Sequence, residues 1–493
     1  MAFTSLVFYL FLAAVLLVYW VVSRKARAPW LLAASYAFCL SFSGIALAVL
    51  LFTTLVSWAA ALRIGGCAPP HRRRWLAAGV AVTLAPLVFF KYYDVWVGLS
   101  GPLLARVLPP ALYQTFVNLL APVGLSFYTF QLVGYLVDVY RGRQPAERSL
   151  LRYALYAAFF PKLIQGPIER TDNLLAQVKG IEALRAFDWD RLTAGAYEVL
   201  WGLFLKMVLA DRLAAFADPI FGNVAAYGSV QLIAASLGYT LQLYLDFSGY
   251  MYIAQGVARC FGFTLLDNFA APYFASSTGD FWRRWHISLS RWLRDYVYIP
   301  LGGSRAGRAR HLGNILAVML LSGIWHGSTW NFVVWGLLHG LYQVAGVLTR
   351  PARQALYQKY NVRTGTFGFR LGQRLCTFCL VSFAWIFFRA ATLPDALTMV
   401  ARIATRWNPW VLFDGSFSAG WAGVEGAVFW LGLGLVLCAD ILREKRGAAF
   451  PAWLQGQNLP FRWAVCLGLA AAVAVFGMYG VAFDASQFLY FQF

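Results

Sequence analysis

Phe281-Trp282-Arg283-Arg284-Trp285-His286-Ile287-Ser288-Leu289-Ser290 opens the stretch that decides how this chain is read, residues 281–340. Leu321-Ser322-Gly323-Ile324-Trp325-His326-Gly327-Ser328-Thr329-Trp330-Asn331 closes it. The first half is basic and aromatic. The second sets a histidine inside an apolar run. An ionisable side chain at membrane depth is costly to keep, so each one is a candidate for function.

The surrounding chain supplies the membrane. Of 493 residues, 60% are hydrophobic, 17% aromatic and 13% charged, where a soluble domain carries roughly 25% charged residues. Apolar runs of about 17–25 residues, the length that crosses a bilayer as a helix, recur throughout. The alternating ~10-residue segments of a transmembrane barrel are absent. The expected fold is an all-α polytopic membrane protein of about eleven spans with re-entrant and interfacial helices. The net charge of +20 gathers as Lys and Arg in short loops, which is an orientation signal and not a nucleic-acid surface.

Residues 5–22 precede Arg24, Lys25 and Arg27. A signal peptide places its charge before the apolar core, so a retained helix with its N-terminus outside is expected. Two short spans fill 29–62, separated near Ser41-Phe42-Ser43-Gly44, and others are expected at 75–90, 116–140, 195–216 and 229–262. An outside segment holds Pro102 and Pro109-Pro110. Residues 159–170, punctuated by Pro161, Gly166 and Pro167, suit backbone at membrane depth that protein or a cavity covers. Asp246 is an intramembrane carboxylate with Gln242 one turn before it. The pair either glues helices or belongs to a site. Residues 276–300 read as an interfacial amphipathic helix with His286 on its aromatic face. The run 313–348 is too long for one ordinary span, and a break is expected at Gly327-Ser328-Thr329. A polar loop at 350–370 precedes spans at 372–389, 425–442 and 461–483.

No P-loop, HExxH, GxSxG elbow or zinc spacing occurs, and no metal or bound cofactor is expected. Cys376-Thr377-Phe378-Cys379 has redox spacing but falls in a span, which reads as two buried thiols. What remains is His286 and His326, with arginines between them. A neutral imidazole in an apolar site can serve as base toward a hydroxyl, which suits acyl transfer from a thioester. A basic mouth of Arg283, Arg284 and Arg294 suits the phosphates of a donor. A membrane histidine can equally be a helix–helix hydrogen-bonding group, the role expected of His339.

The Trp-His-Gly-x-x-Trp-Asn stretch, the Phe-Trp-Arg-Arg-Trp-His-Ile-Ser-Leu-Ser run, Leu301-Gly302-Gly303 and the closing Phe-x-Tyr-Phe-Gln-Phe resemble the membrane-bound O-acyltransferase family. The likeness is nearest its bacterial alginate O-acetylation branch. It covers nearly the whole chain, read as one domain over 1–493 with a core at about 117–348. The resemblance implies a funnelled helical fold with a tunnel across the bilayer of a bacterial inner membrane. It implies His326 as the catalytic histidine and His286 as the second. Asp246, Ser248, Trp285, Trp325, Trp330 and Asn331 become candidates for lining the substrate path. It also implies acetyl-coenzyme A or another acyl thioester entering from the cytoplasm. An extracytoplasmic acetyltransferase partner and a polysaccharide acceptor would complete the system. After Phe-Ser-Gly-Tyr the branch continues Ser-Asp, whereas here Met251-Tyr252 follows, a departure that bears on acceptor and partner. D-alanyl transfer toward teichoic acids is the alternative within the family. A solute transporter is the alternative outside it, and it predicts a symmetry between halves that the sequence lacks.

Overall fold

The computed structural model describes residues 1–109, 112–114, 121–184, 187–414, 417 and 423–479. The beginning of the 116–140 span, Pro110, the end of the last expected span and the closing aromatic motif lie outside these residues. Helices make up 79% of the structure, and no strand occurs among the described residues. Among the described residues six helices are long and apolar enough to cross a membrane: Gly44–Gly66, Pro69–Lys91, Trp330–Lys359, Phe367–Arg389, Gly423–Arg446 and Leu459–Phe476. Leu6–Val21 is a shorter apolar helix. Leu431, Leu467 and Val475 turn their side chains outward from these helices, as a chain solvated by lipid allows. The protein is a polytopic helical membrane protein.

Two compact units divide the chain. The first comprises Met1–Leu192 with Val257–Leu266. Its helix starts follow from local chemistry. Ser5 accepts from the Phe8 N–H, Ser43 from that of Ile45, and Ser149 from that of Arg152, each satisfying an orphaned donor. The expected break falls where Arg27–Leu40 stops and Gly44–Gly66 begins. Arg27, the first residue of the helix Arg27–Leu40, is buried. Its guanidinium donates to the Leu184 carbonyl at 3.0 Å and lies 4.9 Å from the Trp20 ring.

The proline-punctuated segment makes a single turn, Phe160–Leu163, and is buried from Phe159 to Glu169. Lys162 donates to Gln131 Oε1 at 2.5 Å and to the Ala157 carbonyl at 2.6 Å. Glu169 accepts from the Leu266 N–H at 2.7 Å and from Asn173 at 2.8 Å. Irregular backbone at this place is tolerable because protein surrounds it and polar partners meet its charges.

The second unit comprises Thr193–Gly256 with Asp267–Phe493. The expected break in the long apolar run is present. Arg308–His326 ends at His326, Gly327 is extended, and Trp330–Lys359 follows. Trp330–Lys359 continues past the expected end of its span and Phe367–Arg389 starts before the next, so most of the anticipated polar loop is helix. These two helices meet through glycine. A Cβ on Gly323 would lie 2.2 Å from the Phe332 carbonyl oxygen, and one on Gly336 would lie 2.5 Å from that of Met319. Close approach through small residues is how helices associate where lipid removes any hydrophobic drive.

Cys376 and Cys379 are free and exposed on the outer surface of Phe367–Arg389. They are not the buried thiols expected from the apolar run, because an apolar residue in a span can face lipid as readily as protein.

Candidate active site

Every candidate residue belongs to the second unit. The interfacial helix expected over 276–300 is broken at its centre. Thr278–Arg284 ends, His286 takes a left-handed conformation with φ 43° and ψ 55°, and Ile287–Leu293 begins. Such a conformation is uncommon for a residue with a Cβ and occurs where surrounding structure imposes it. Here it turns the imidazole inward to 1% exposure. The burial expected of the aromatic face is present at Trp282, Trp285, Leu289, Trp292 and Leu293, and Tyr296 is half-buried.

Around His286 stand Phe247, at a ring-centroid distance of 5.0 Å, and Trp325, at 6.1 Å. Burial pushes the His286 imidazole down to about 3, so it is neutral near pH 7. His326, 5% exposed, packs against the same indole at 4.6 Å and meets Trp335 and Phe388 at 5.1 Å each. Trp335 stacks on Trp385 at 5.6 Å. His339 lies beneath, fully buried, accepting at Nδ1 from the Trp282 indole N–H at 3.2 Å. That bond places the His339 proton on Nε2, the hydrogen-bonding role the sequence suggests.

Asp246 is buried and ion-paired to Lys206, which also pairs with Asp211 at 2.8 Å. Lys206 sits in a π-helical stretch, Phe204–Ala210, a rare geometry that concentrates at functional sites. Phe247, the chain neighbour of Asp246 on the helix Ser229–Cys260, is the residue that packs against His286. Ser248 is buried on the same helix, its hydroxyl 3.5 Å from the Leu245 carbonyl. Sequence reading passed over Lys206, Asp211, Trp335, Trp385 and Phe388. A lysine inside Phe204-Leu205-Lys206-Met207-Val208-Leu209 was the available signal for the first. Nothing local distinguishes the aromatic residues from other span residues.

The other candidates separate. Trp285 joins an aromatic wall with Phe269, Phe281, Tyr273 and Trp385. Asn331 is buried but donates to the Ala390 carbonyl at 2.6 Å, tying two helices. Trp330 is 73% exposed and is not part of the cluster. Gly323 and Gly327, on either side of His326, make room for protein. A Cβ on Gly327 would lie 2.1 Å from the Phe332 ring.

The donor-mouth arginines are engaged. Arg283 pairs with Asp280 at 3.2 Å, and Arg294 with Asp295 at 2.8 Å. Arg284 pairs with Asp280 at 3.1 Å and with Glu444 at 2.5 Å. Burial opposes ionisation of Asp280, but the Ser276 N–H and the two guanidinium groups outweigh it and hold the carboxyl below its usual value. At the departure noted in the sequence, Met251 Sδ accepts from Asn268 at 3.1 Å, and the Tyr252 hydroxyl accepts from Arg443 at 3.3 Å. Among the described residues no group of histidine, cysteine and carboxylate side chains could hold a metal ion.

A polytopic helical membrane protein with two inward-turned histidines on one tryptophan is the class that fold and site define. The chain belongs to the membrane-bound O-acyltransferase family, whose profile matches residues 143–387. It is similar to the probable alginate O-acetylase AlgI of Pseudomonas putida, 38% identical over 408 residues, 81% of this chain and 79% of that protein. It is 33% identical to the peptidoglycan O-acetyltransferase of Helicobacter pylori over 430 residues, 80% of this chain and 78% of that one. Similarity to the teichoic acid D-alanyltransferase of Bacillus subtilis is 27% over 273 residues, 53% of this chain and 65% of that one. The protein is therefore an O-acyltransferase, and a transporter reading is set aside.

Proposed function

We propose that the chain moves an acetyl group from a cytoplasmic thioester, acetyl-coenzyme A or a thioester-bearing carrier, toward hydroxyls of an extracytoplasmic polysaccharide. In this reading residues 1–493 form one acyltransferase domain in a bacterial inner membrane, with a core at about 117–348. The N-terminus is outside, and Arg283, Arg284 and Arg294 face the cytoplasm. The observation that carries the reading is the seating of His286 and His326 against one indole, Trp325. The acetyl group and a polysaccharide acceptor are supported by the relatives named for alginate and peptidoglycan. They cover more of this chain, at higher identity, than the relative named for D-alanyl transfer. An extracytoplasmic acetyltransferase partner would complete delivery to the polymer.

The chemistry follows from a neutral imidazole. A His326 ring nitrogen takes the proton of the attacking hydroxyl as its oxygen bonds to the thioester carbonyl carbon. The carbon–sulfur bond then breaks, and the leaving thiolate recovers the proton from the imidazolium. If His326 attacks first, the same atoms balance through an acyl-imidazole that the hydroxyl opens. His286 would hold the acyl carbonyl or the acceptor beside it. Arg284 and its neighbours would hold the donor's phosphates.

Reconstituted protein, an extracytoplasmic acetyltransferase partner, acetyl-labelled coenzyme A and alginate oligosaccharide test the proposal. Label in base-labile ester on the sugar, with matching release of free thiol, is expected. Ester formed only from a D-alanyl thioester would contradict the acetyl assignment.

A further inference from the structure

One donor-mouth arginine, Arg284, forms part of a larger arrangement that already holds an anion. Glu444 offers one oxygen to Arg284 at 2.5 Å and the other to Arg374 at 2.9 Å. The two guanidinium groups come from different helices, Thr278–Arg284 and Phe367–Arg389, and Glu444 from a third, Gly423–Arg446. Arg374 is held over the Phe274 ring at 5.1 Å. All three charged side chains are about three-quarters buried. Two forks converging on two oxygens is also the way guanidinium groups grip a phosphate.

Glu444 is an awkward occupant. It lies in the last turn of its helix, where the dipole disfavours a negative charge. Its neighbours Arg443, Lys445 and Arg446 are basic, which favours an incoming anion at the same place. The aromatic wall leads inward from here. Tyr273, the chain neighbour of Phe274, packs on Phe281 and Trp285, and Trp285 precedes His286.

We infer that Glu444 is a displaceable internal counter-ion. It occupies the Arg284–Arg374 forks at rest, and the phosphate of an incoming thioester donor takes its place. The inference rests on the donor reading above and adds its regulation: donor capture costs the opening of the Glu444 contacts. Apparent affinity is then reduced by the fraction of time the forks are free. The shared recognition chemistry is a phosphate on a pantetheine arm, whether it belongs to coenzyme A or to a carrier.

The test measures binding and not turnover, so it is independent of His326. Full-length protein in nanodiscs is titrated with desulfo-coenzyme A and, separately, with 4′-phosphopantetheine. Glu444→Gln should tighten whichever probe binds by roughly threefold or more, and Arg374→Gln should weaken it by a similar factor. Binding of the short probe alone points to a carrier, and binding of both to coenzyme A. Unchanged or weaker binding by folded Glu444→Gln overturns the inference and makes Glu444 a structural pin. Binding of neither probe to wild type or Glu444→Gln overturns it as well. Should Glu444→Gln not fold, Arg374→Lys decides: it keeps the charge but loses the fork, so weakened binding supports the inference and unchanged binding overturns it. Normal probe response with no acyl transfer would leave this inference standing and remove the proposed function.

Discussion

His326 and Trp335 lie with ring centroids 5.1 Å apart and planes nearly perpendicular, at 87°. The two residues sit on opposite sides of a helix break, His326 ending one helix and Trp335 starting the second turn of the next. Trp335 also touches His339, Trp282, Trp385 and Phe388. One indole therefore fixes how the imidazole can turn.

Trp335→Phe should keep most of this packing, and Trp335→Ala should not. Truncating a buried tryptophan to alanine costs about 3–5 kcal/mol in soluble cores, and a dry cavity loses the same contacts. Melting of purified protein should fall clearly for Trp335→Ala and little for Trp335→Phe. Equal melting of both would show that the indole is not a keystone of the cluster.

Lys206 is the cation between two buried carboxylates. Lys206→Met leaves Asp211 and Asp246 without it, a change worth roughly 3–5 kcal/mol when one partner of a buried pair is removed. Lys206→Met combined with Asp211→Asn and Asp246→Asn should recover part of the loss. Poorer melting of the triple variant than of Lys206→Met would argue against charge compensation.

His286 gives a pH signature. Its folded value is lowered from 6.5 to about 3. Between those values the unfolded chain binds the extra proton, so stability rises with pH and is lost as pH falls through the window. His286→Gln removes that contribution. Its melting temperature should drop less than that of wild type on acidification from pH 7 to about 4. Parallel declines would place the histidine in contact with water. Turnover should also fall, because the glutamine amide does not reproduce the ring geometry with which His286 would hold the acyl carbonyl or the acceptor beside His326.

Much of the site was legible because charge and aromaticity are conspicuous in an apolar chain. His286 and His326 stand out for that reason, and the Gly327 break follows from the length of the run and its turn residues. The bend at His286 was not legible, since helical periodicity runs unbroken through Arg284-Trp285-His286 and only tertiary packing forces the left-handed residue. Trp330 and Asn331 flank the same motif yet part ways, because one faces outward and the other a carbonyl of a distant helix. Arg284 reads as a free charge in sequence. Its partner Glu444 lies 160 residues away, a pairing no local pattern encodes. The glycines beside His326 were visible, but their function was not: only the Phe332 contact reveals that they serve helix packing.

His326 carries the central claim, and one comparison tests it most directly. Wild type and His326→Ala are purified, matched for melting temperature, and assayed with the same extracytoplasmic partner for acetyl transfer from labelled thioester to oligosaccharide. General-base assistance alone is worth about 10²–10⁴-fold in rate, and loss of a nucleophile costs more. The account predicts a folded His326→Ala protein with turnover reduced at least about a hundredfold; a folded variant turning over at close to the wild-type rate would contradict it.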